Sequence, residues 1–143
     1  MTIDEVKAKG ILQLYVDGAS RGNPGEAGAG FCLLDEDGNE LLNGMQFLGR
    51  MTNNAAEYHA LILGLREALG MGGTSIEIYT DSELVAKQIK GIYNVRNRQL
   101  RRLYRETVEL LNKFHRYEMI SIRREENRKA DRLANEAIDG QKA

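Results

Sequence analysis

Four acidic residues in this sequence occupy positions where a carboxylate points to chemistry more than to surface solubility. Asp17 and Asp81 each end a stretch of strand-forming residues, where functional residues of α/β sheets often lie. Glu57 lies in the first turn of a predicted helix, and Asp131 lies inside another predicted helix, beside its apolar stripe. Carboxylate oxygens are ligands that Mg²⁺ prefers, and two such ions ~3.5–4 Å apart can activate a water and stabilise a leaving oxygen. The set therefore predicts a two-metal hydrolytic site, provided that the fold brings the four residues together.

Each carboxylate taken alone also has an ordinary structural explanation. Asp17 could stabilise the glycine-rich turn that follows it, and Asp81 could cap the helix that it precedes. The glutamate could interact favourably with its helix dipole, and Asp131 could pair with Arg128 or Lys129. Several carboxylates held together repel one another unless a cation lies between them. A metal site therefore requires the whole set rather than any one member.

The elements that must position these carboxylates follow from the spacing of the apolar residues. Alternating apolar residues predict strands, whereas apolar residues three and four apart predict helices. Strands are predicted at 11–17, 29–34, 38–49, 75–80 and 117–123, and helices at 55–69, 83–90, 97–114 and 127–138. The glycine-rich stretch 18–30 is predicted to be a loop. Three hairpin strands followed by strand–helix units give an α/β fold, with a mixed sheet and helices packed on its faces.

The length and composition favour one soluble domain. The 143 residues include 42% hydrophobic and 29% charged residues. We expect a short polar tail at 1–10, followed by a single domain at 11–140. The single cysteine excludes an internal disulfide and favours a reducing compartment, and no apolar run approaches the ~20 residues that span a bilayer. The expectation is a cytoplasmic monomer, with no membrane association and no obligate protein partner.

The net charge of −1 hides an uneven distribution. Residues 1–60 hold four Lys or Arg and nine Asp or Glu, a net charge of −5. Residues 90–116 hold eight Lys or Arg and two Glu, a net charge of +6. An acidic region suits cations and a basic region suits phosphates, although a solvated helix surface explains the basic stretch at least as well.

Four segments of the chain resemble, in order and spacing, the signature segments of type 1 ribonuclease H. They are YVDGASRGNPG around Asp17, TNNAAEYHAL around Glu57, YTDSELV around Asp81 and NRKADRLANEA around Asp131. The resemblance covers residues 11–138. It implies the ribonuclease H-like fold, in which three antiparallel strands and two βα units form a five-stranded mixed sheet with helices on both faces.

The resemblance also implies an activity, the hydrolysis of the RNA strand of RNA–DNA hybrids by an endonuclease that uses two Mg²⁺ ions. The resemblance further implies that Mn²⁺ can substitute for them and that the products have 5′-phosphate and 3′-hydroxyl ends. In this family pattern Asp17 would contact both metal ions, and Glu57 and Asp81 would each support one side of the site. Asp131 would help to hold the metal that activates water.

Substrate contacts are implied in the same way. Amide side chains can reach sugar hydroxyls in a shallow minor groove, where 2′-hydroxyls distinguish RNA from DNA, and small residues allow the backbone to approach the RNA strand. The positions that match substrate contacts of the family are Gly18, Ser20, Asn23, Asn53, Asn54 and Glu83. In the basic stretch, the candidates for contacts with phosphates of the DNA strand are Arg96, Arg98 and Arg101.

Two features depart from the family pattern. Many members carry a histidine in a loop before the last helix, whereas the loop at 123–127 has none, and Arg124 and Glu126 are the candidates for an auxiliary role there. Many bacterial members grip the hybrid with a protrusion rich in Trp and Lys, whereas this chain has no Trp and an Arg-rich stretch at 91–105. The second feature resembles a compact branch found in archaea and some bacteria. It implies lower affinity for the hybrid, and double-stranded RNA as an additional candidate substrate.

Three other functions fit parts of the sequence. A hybrid-binding module of the same fold, with weak or lost catalysis, is disfavoured by the presence of all four acids, but the missing loop histidine leaves room for it. A different nuclease on a related fold, such as a proofreading exonuclease or a junction-cutting enzyme, is disfavoured by the GNPG and TNN segments. A phosphotransferase with a related core would need a second lobe, and the chain contains no P-loop.

Overall fold

Strands and helices follow one another in the predicted order in the computed structural model, which describes residues 10–141. The strands are β1 (Leu12–Gly22), β2 (Gly25–Leu34), β3 (Glu40–Met51), β4 (Ser75–Thr80) and β5 (Arg116–Ser121). The helices are α1 (Asn53–Gly70), α2 (Glu83–Ile89), α3 (Arg98–Leu111) and α4 (Arg128–Gly140), with a 3-10 turn at Arg124–Glu126. The tail predicted at 1–10 lies outside the described residues, except for Gly10.

The strands form one mixed sheet in the order β3–β2–β1–β4–β5. Consecutive hairpins pair β1, β2 and β3 antiparallel, whereas β4 pairs in parallel with both β1 and β5. A parallel pair needs a crossover connection, and α1 provides the crossover between β3 and β4. The predicted α/β class and five-stranded mixed sheet are confirmed.

Glycines allow α1 and α4 to pack directly on the backbone of the first two strands. A Cβ added at Gly18 would lie 2.3 Å from the backbone of Ala56 in α1, and one added at Gly30 would lie 2.4 Å from the carbonyl oxygen of Ala130 in α4. Gly30 pairs with Asp17 in the sheet, so these two residues face the same side. Gly18 follows Asp17 along β1 and therefore faces the opposite side from Gly30. The helices therefore cover both faces, as predicted, and the start of each lies close to β1.

An apolar core joins α1 to the middle of the sheet. Leu14 and Val16 of β1, Ile78 of β4, and Leu61 and Leu65 of α1 are fully buried in one cluster. Burying one such side chain contributes about 1.5–3 kcal/mol, so this cluster fixes the three elements relative to one another. The same three elements carry or precede three of the four candidate carboxylates.

The glycine-rich stretch that was predicted to be a loop is instead most of a β-hairpin. Since β1 continues to Gly22 and β2 begins at Gly25, only Asn23 and Pro24 form the turn. The prediction was wrong because the small residues serve packing rather than chain flexibility. The backbone of α4 leaves no room for a side chain at Gly28. It leaves none at Gly30 either, whose contact lies one helical turn away.

The other differences from the predicted elements lie at their ends. The helix predicted to reach residue 114 ends at Leu111, and the strand predicted to reach residue 123 ends at Ser121. The chain leaves α3 early because the N–H of His115 donates to the carbonyl of Thr74 at 2.7 Å, which turns it into the sheet. Within residues 10–141, no helix combines the length and apolar character that crossing a membrane requires.

Candidate active site

Three carboxylates converge in one cleft at the edge of the sheet where β4 ends. Asp17, Glu57 and Asp81 each offer an oxygen atom, and these atoms lie within 4.8 Å of one another. The cleft has a volume of about 400 Å³, and Asp131 lines it outside this group of three. The structure thus brings all four predicted carboxylates to one cleft and places three of them close enough to share a cation.

The sequence predicts Asp17 at the end of the first strand. In the structure it lies in the middle of β1. The pairing of β1 with β4 runs only from Leu12 to Tyr15, whereas β1 continues to Gly22 as a hairpin with β2. The cleft opens where this parallel pairing stops, and Asp81 immediately follows β4 there. The cleft therefore lies at the carboxyl end of the parallel β1–β4 pairing. Asp17, which is only 5% exposed, lies beyond that end and forms the floor of the cleft.

Glu57 is held in place by the backbone of β1. It is 2% exposed, and its Oε1 accepts a hydrogen bond from the N–H of Gly18 at 3.0 Å. Its Oε2 is buried and has no hydrogen-bond partner among the described residues. Glu57 lies beyond the first turn of α1, so the interaction with the helix dipole suggested by the sequence does not account for its position.

Asp131 lies in the first turn of α4, whereas the sequence had suggested a position inside the helix. A carboxylate is favourable there because the first N–H groups of a helix carry a positive partial charge. Asn135, one turn later, donates from Nδ2 to the Asp131 carbonyl at 2.9 Å and to the carboxylate Oδ1 at 3.3 Å. Lys129, one of the suggested ion-pair partners of Asp131, pairs with Glu40 instead.

Burial and mutual repulsion raise the pKa values of the clustered carboxyls. Burial is the main cause of the raised pKa of Asp17, followed by the negative charge of the neighbouring Glu57. Burial also raises the pKa values of Glu57 and Asp81. Carboxyl groups crowded in this way cannot all ionise unless a cation lies between them. The cleft is therefore arranged as a set of oxygen ligands that needs a positive charge.

The predicted substrate contacts divide between the cleft and its surroundings. Those that line the cleft are Gly18, Ser20 and Asn53. Asn23 lies on the hairpin turn and fastens it to α1, because its Oδ1 accepts a hydrogen bond from the N–H of Asn53 at 3.1 Å. Asn54 is half-buried in the first turn of α1, and Glu83 is exposed in the first turn of α2; neither lines the cleft.

Two of the cleft-lining residues make contacts that the sequence did not indicate. The missing side chain of Gly18 makes room for α1 rather than for a ligand, since the helix backbone occupies that space. The Ser20 hydroxyl lies against the carbonyls of Gly22 and Met51, the latter at 3.1 Å. These contacts join the hairpin to the end of β3, next to the start of α1.

The predicted arginines lie apart from the cleft, on and before α3. Arg96 is exposed just before the helix. A surface groove along the helix is lined by Arg98, Arg101, Arg102 and Arg105. The Nε of Arg101 donates to the carbonyl of Val95 at 3.0 Å, which ties this arginine to the chain just before α3.

The two auxiliary candidates occupy different surroundings. Arg124 lines the cleft, and its charge opposes the burial that raises the pKa of Asp81. Glu126 lies in a neighbouring cavity, where its Oε1 accepts hydrogen bonds from the N–H of Arg123 at 3.1 Å and from the Nε of the same residue at 3.2 Å. Only Arg124 is therefore within the cleft that holds the carboxylates.

Two asparagines of the site were not identified from the sequence. Asn135 lies four residues after Asp131, a spacing that places two side chains on one helix face, so it could have been found from that residue. Asn127 is 1% exposed and donates from Nδ2 to the carbonyl of Val16 at 2.8 Å, across 111 positions of sequence. No local pattern in the sequence indicates a contact of that range.

Comparison with known proteins agrees with this geometry. Residues 15–137 match a protein family described as reverse transcriptase-like. The chain is similar to ribonuclease HI of Halobacterium salinarum, with 44% identity over 130 residues that cover 91% of this chain and 65% of that protein. The chain thus spans just under two thirds of the length of that relative.

Solved structures show the same similarity over a whole domain. RNase H1 from the halophilic archaeon Halobacterium salinarum NRC-1 has a TM-score of 0.89 at 44% identity, covering 92% of this chain and 99% of that chain. LC11-RNase H1, solved in complex with an RNA/DNA hybrid, has a TM-score of 0.87 at 37% identity, covering 92% of this chain and 99% of that chain.

Proposed function

This chain belongs to the reverse transcriptase-like family and, within it, to the ribonuclease H proteins, and we propose that it is an endonuclease that hydrolyses the RNA strand of RNA–DNA hybrids. The observation that carries the proposal is the cleft in which three carboxylates lie within 4.8 Å of one another with a fourth beside them. The relatives support it, since one is named ribonuclease HI and another was solved with an RNA/DNA hybrid.

The oxygen atoms of the cleft fit divalent cations. The Oε2 of Glu57 is buried without a partner among the described residues, and an ionised oxygen in such a place needs a nearby positive charge. Mg²⁺ takes oxygen ligands, and the four carboxylates supply them. The proposed cofactor is a pair of Mg²⁺ ions, for which Mn²⁺ can substitute because it also suits carboxylate ligands.

The residues of this chain set the positions that the chemistry requires. When bound, the two metal ions would activate a water for attack on the scissile phosphate and stabilise the leaving oxygen, which gives 5′-phosphate and 3′-hydroxyl ends. Gly18 holds Glu57 through its backbone N–H, and Asn135 holds Asp131 through its carboxamide. Asp17 lies between the two helices that carry these acids, where it can serve both sides of the site.

The rim of the cleft is built to contact an RNA strand. It consists of the β1–β2 hairpin and the start of α1, which the Asn23–Asn53 hydrogen bond ties together. Neutral amide groups such as that of Asn53 can reach sugar hydroxyls, and the 2′-hydroxyl is the group that distinguishes RNA from DNA at such a site. Arg124 adds a positive charge at the same rim, where a phosphate would pass.

The exposed arginines of α3 are proposed to meet the phosphates of the DNA strand. Contacts of this kind do not depend on sequence and weaken with salt. They also do not distinguish one duplex from another, so double-stranded RNA remains a candidate substrate beside the hybrid. We expect the chain to act as a monomer on both.

The experiment is to incubate the protein with labelled RNA–DNA hybrid, double-stranded RNA and each single strand, with Mg²⁺, Mn²⁺ or EDTA. We expect cleavage of the RNA strand of the hybrid with either metal, and none with EDTA. Asp17→Asn serves as the inactive control, and sequencing of the ends tests the product chemistry. Cleavage of single-stranded RNA at the same rate as the hybrid would contradict the proposal.

The alternative is a hybrid-binding module with weak or no catalysis. It predicts that the wild-type protein binds the hybrid with the same affinity as Asp17→Asn and cuts it no faster. A binding measurement made beside the cleavage assay separates the two functions directly.

A further inference from the structure

Asn127 connects several parts of the carboxylate cleft through one buried side chain. It lies between the 3-10 turn and α4, and it is 1% exposed. Its Nδ2 donates to the carbonyl of Val16, the residue before Asp17, at 2.8 Å. Its own carbonyl accepts the N–H of Asp131 at 3.1 Å. The residue therefore links the strand that carries one acid to the helix that carries another.

The carboxamide of Asn127 also acts on the third element of the cleft. Its side chain also lies close enough to the Asp81 carboxylate to interact with it as a hydrogen-bond donor. A carboxamide has two N–H donors, so one can hold the Val16 carbonyl while the other faces the Asp81 carboxylate. A single side chain thus faces both strand ends that open the cleft.

The ordinary role of an asparagine at this position is not the one that Asn127 performs. It is the N-cap of α4, where asparagine commonly accepts a hydrogen bond from the first turn of the helix. Its side chain makes no such bond, and its Oδ1 is buried without a partner among the described residues. Leaving a buried acceptor unpaired is unfavourable, so the side chain is oriented by its donor contacts with the cleft and not by the helix.

We propose that Asn127 is a positioning residue for the carboxylate cluster, which sets the spacing of Asp17, Asp81 and Asp131 and thereby the affinity of the cleft for Mg²⁺. The inference rests on the proposed function in taking Mg²⁺ as the occupant of the cleft. It makes a prediction that a purely structural role does not. Loss of the carboxamide should weaken metal binding beyond any effect on folding.

The test compares two variants by calorimetric titration with Mg²⁺ in the absence of nucleic acid, together with thermal unfolding. Asn127→Ser keeps a good helix N-cap, but its hydroxyl is too short to bridge to β1. Thr107→Val is the matched control, because it removes a fully buried hydrogen bond, from Thr107 Oγ1 to the Leu103 carbonyl at 2.8 Å, away from the cleft. Partners that orient metal ligands typically change metal affinity by about 10–100-fold when lost.

We expect Asn127→Ser to bind Mg²⁺ at least about 10-fold more weakly than wild type, and Thr107→Val to bind it as wild type does, even where both unfold at a similarly lowered temperature. With the hybrid as substrate, kcat at fixed Mg²⁺ should fall in Asn127→Ser with little change in KM, since the buried residue cannot touch nucleic acid. Unchanged Mg²⁺ affinity in Asn127→Ser, or an equal loss in both variants, would overturn the inference.

A measurement on the wild-type protein covers the case in which Asn127→Ser does not fold. In a Mg²⁺ titration followed by NMR, the side-chain amide signals of Asn127 should shift with the same midpoint as the backbone amide of Gly18. Asn127 signals that stay in place while Gly18 shifts would overturn the inference. The Mg²⁺ affinities and the NMR titration do not depend on cleavage. A wild-type protein that binds Mg²⁺ but leaves the hybrid intact would refute the proposed function. The Mg²⁺ affinities would still decide the role of Asn127.

Discussion

Replacing Asp17 by Asn should abolish hybrid cleavage and, when no metal is present, make the fold more stable than that of the wild type. The substitution keeps the shape of the side chain and removes its charge. In the metal-free wild type the Asp17 carboxyl is buried beside Glu57 and Asp81, within 4.8 Å of their oxygens, where burial and repulsion disfavour its ionised form, so that it folds only by taking up a proton. The variant therefore loses a metal ligand and also avoids the cost of keeping a carboxyl in this position without a metal.

The magnitude follows from the pKa of Asp17, which burial, and then Glu57, raise far above the value of 3.8 that applies to an exposed group. At pH 7 the unfolded carboxyl is ionised, whereas the folded one is protonated when no metal is bound. Each pH unit corresponds to about 1.4 kcal/mol, so this proton uptake opposes folding by up to about 4 kcal/mol at pH 7. Asparagine has no proton to take up, and the variant should be more stable by up to that amount.

The sign of the pH dependence can be worked out in the same way. At Asp17 the native wild type binds more protons than the unfolded chain, so the contribution of this group to stability falls as the pH rises above about 4. The gap between Asp17→Asn and wild type should therefore be small at pH 4 and widen toward pH 7. Saturating Mg²⁺ stabilises the protein that binds it, so the gap should narrow or reverse when the metal is added.

The assay is urea unfolding at pH 4, 5.5 and 7, with EDTA and with Mg²⁺, beside the cleavage assay. Asp35→Asn is a control of opposite sign, because backbone and side-chain hydrogen bonds from Asn39 lower the pKa of the half-buried Asp35. That variant should lose stability at pH 7 and little at pH 3. If Asp17→Asn proves less stable than wild type at pH 7 in EDTA, Asp17 serves the structure of the hairpin and the reasoning is refuted.

Three further predictions concern packing, ligand orientation and substrate grip. Gly30→Ala should lower the free energy of unfolding, measured in urea, by about 3 kcal/mol or more, because the new Cβ would lie 2.4 Å from the Ala130 carbonyl oxygen. Gly70→Ala is the control and should leave the free energy of unfolding unchanged, because nothing lies within 4 Å of a Cβ at that position. Asn135→Ala should reduce kcat by about 10–100-fold by releasing Asp131, and wild-type kcat in the variant would show that the carboxylate needs no such support. The quadruple alanine variant of Arg96, Arg98, Arg101 and Arg102 should raise KM far more than it lowers kcat. Each true phosphate contact that it removes should flatten the log–log dependence of hybrid affinity on salt by ~0.7–0.9, measured with Ca²⁺ to prevent turnover, and an unchanged slope would mean that the hybrid is gripped elsewhere.

Much of the fold could be predicted because its elements are encoded locally. The alternation of apolar residues at 75–80 and the helical spacing at 55–69 depend only on neighbouring residues, and the structure places β4 and α1 there. The four acids could be selected for the same reason, since each lies in a short segment of characteristic composition. The prediction from local pattern was wrong at residues 18–30. A run of glycine and alanine has the same local pattern when it forms a flexible loop and when it lets a helix pack closely against a strand.

The amino-acid sequence by itself determined which elements form, in what order, and which carboxylates are candidates for the chemistry. Only the tertiary structure decided how they meet: β1 continues past the end of β4, so that Asp17 lies on the floor of a cleft, and Gly18 holds Glu57 through its backbone. Asn127 became part of the site through a hydrogen bond that spans 111 positions. The physical reason is that propensity and periodicity act over a few residues, whereas burial, crowding of charge and hydrogen bonds between elements depend on distances that exist only once the sheet and helices have packed.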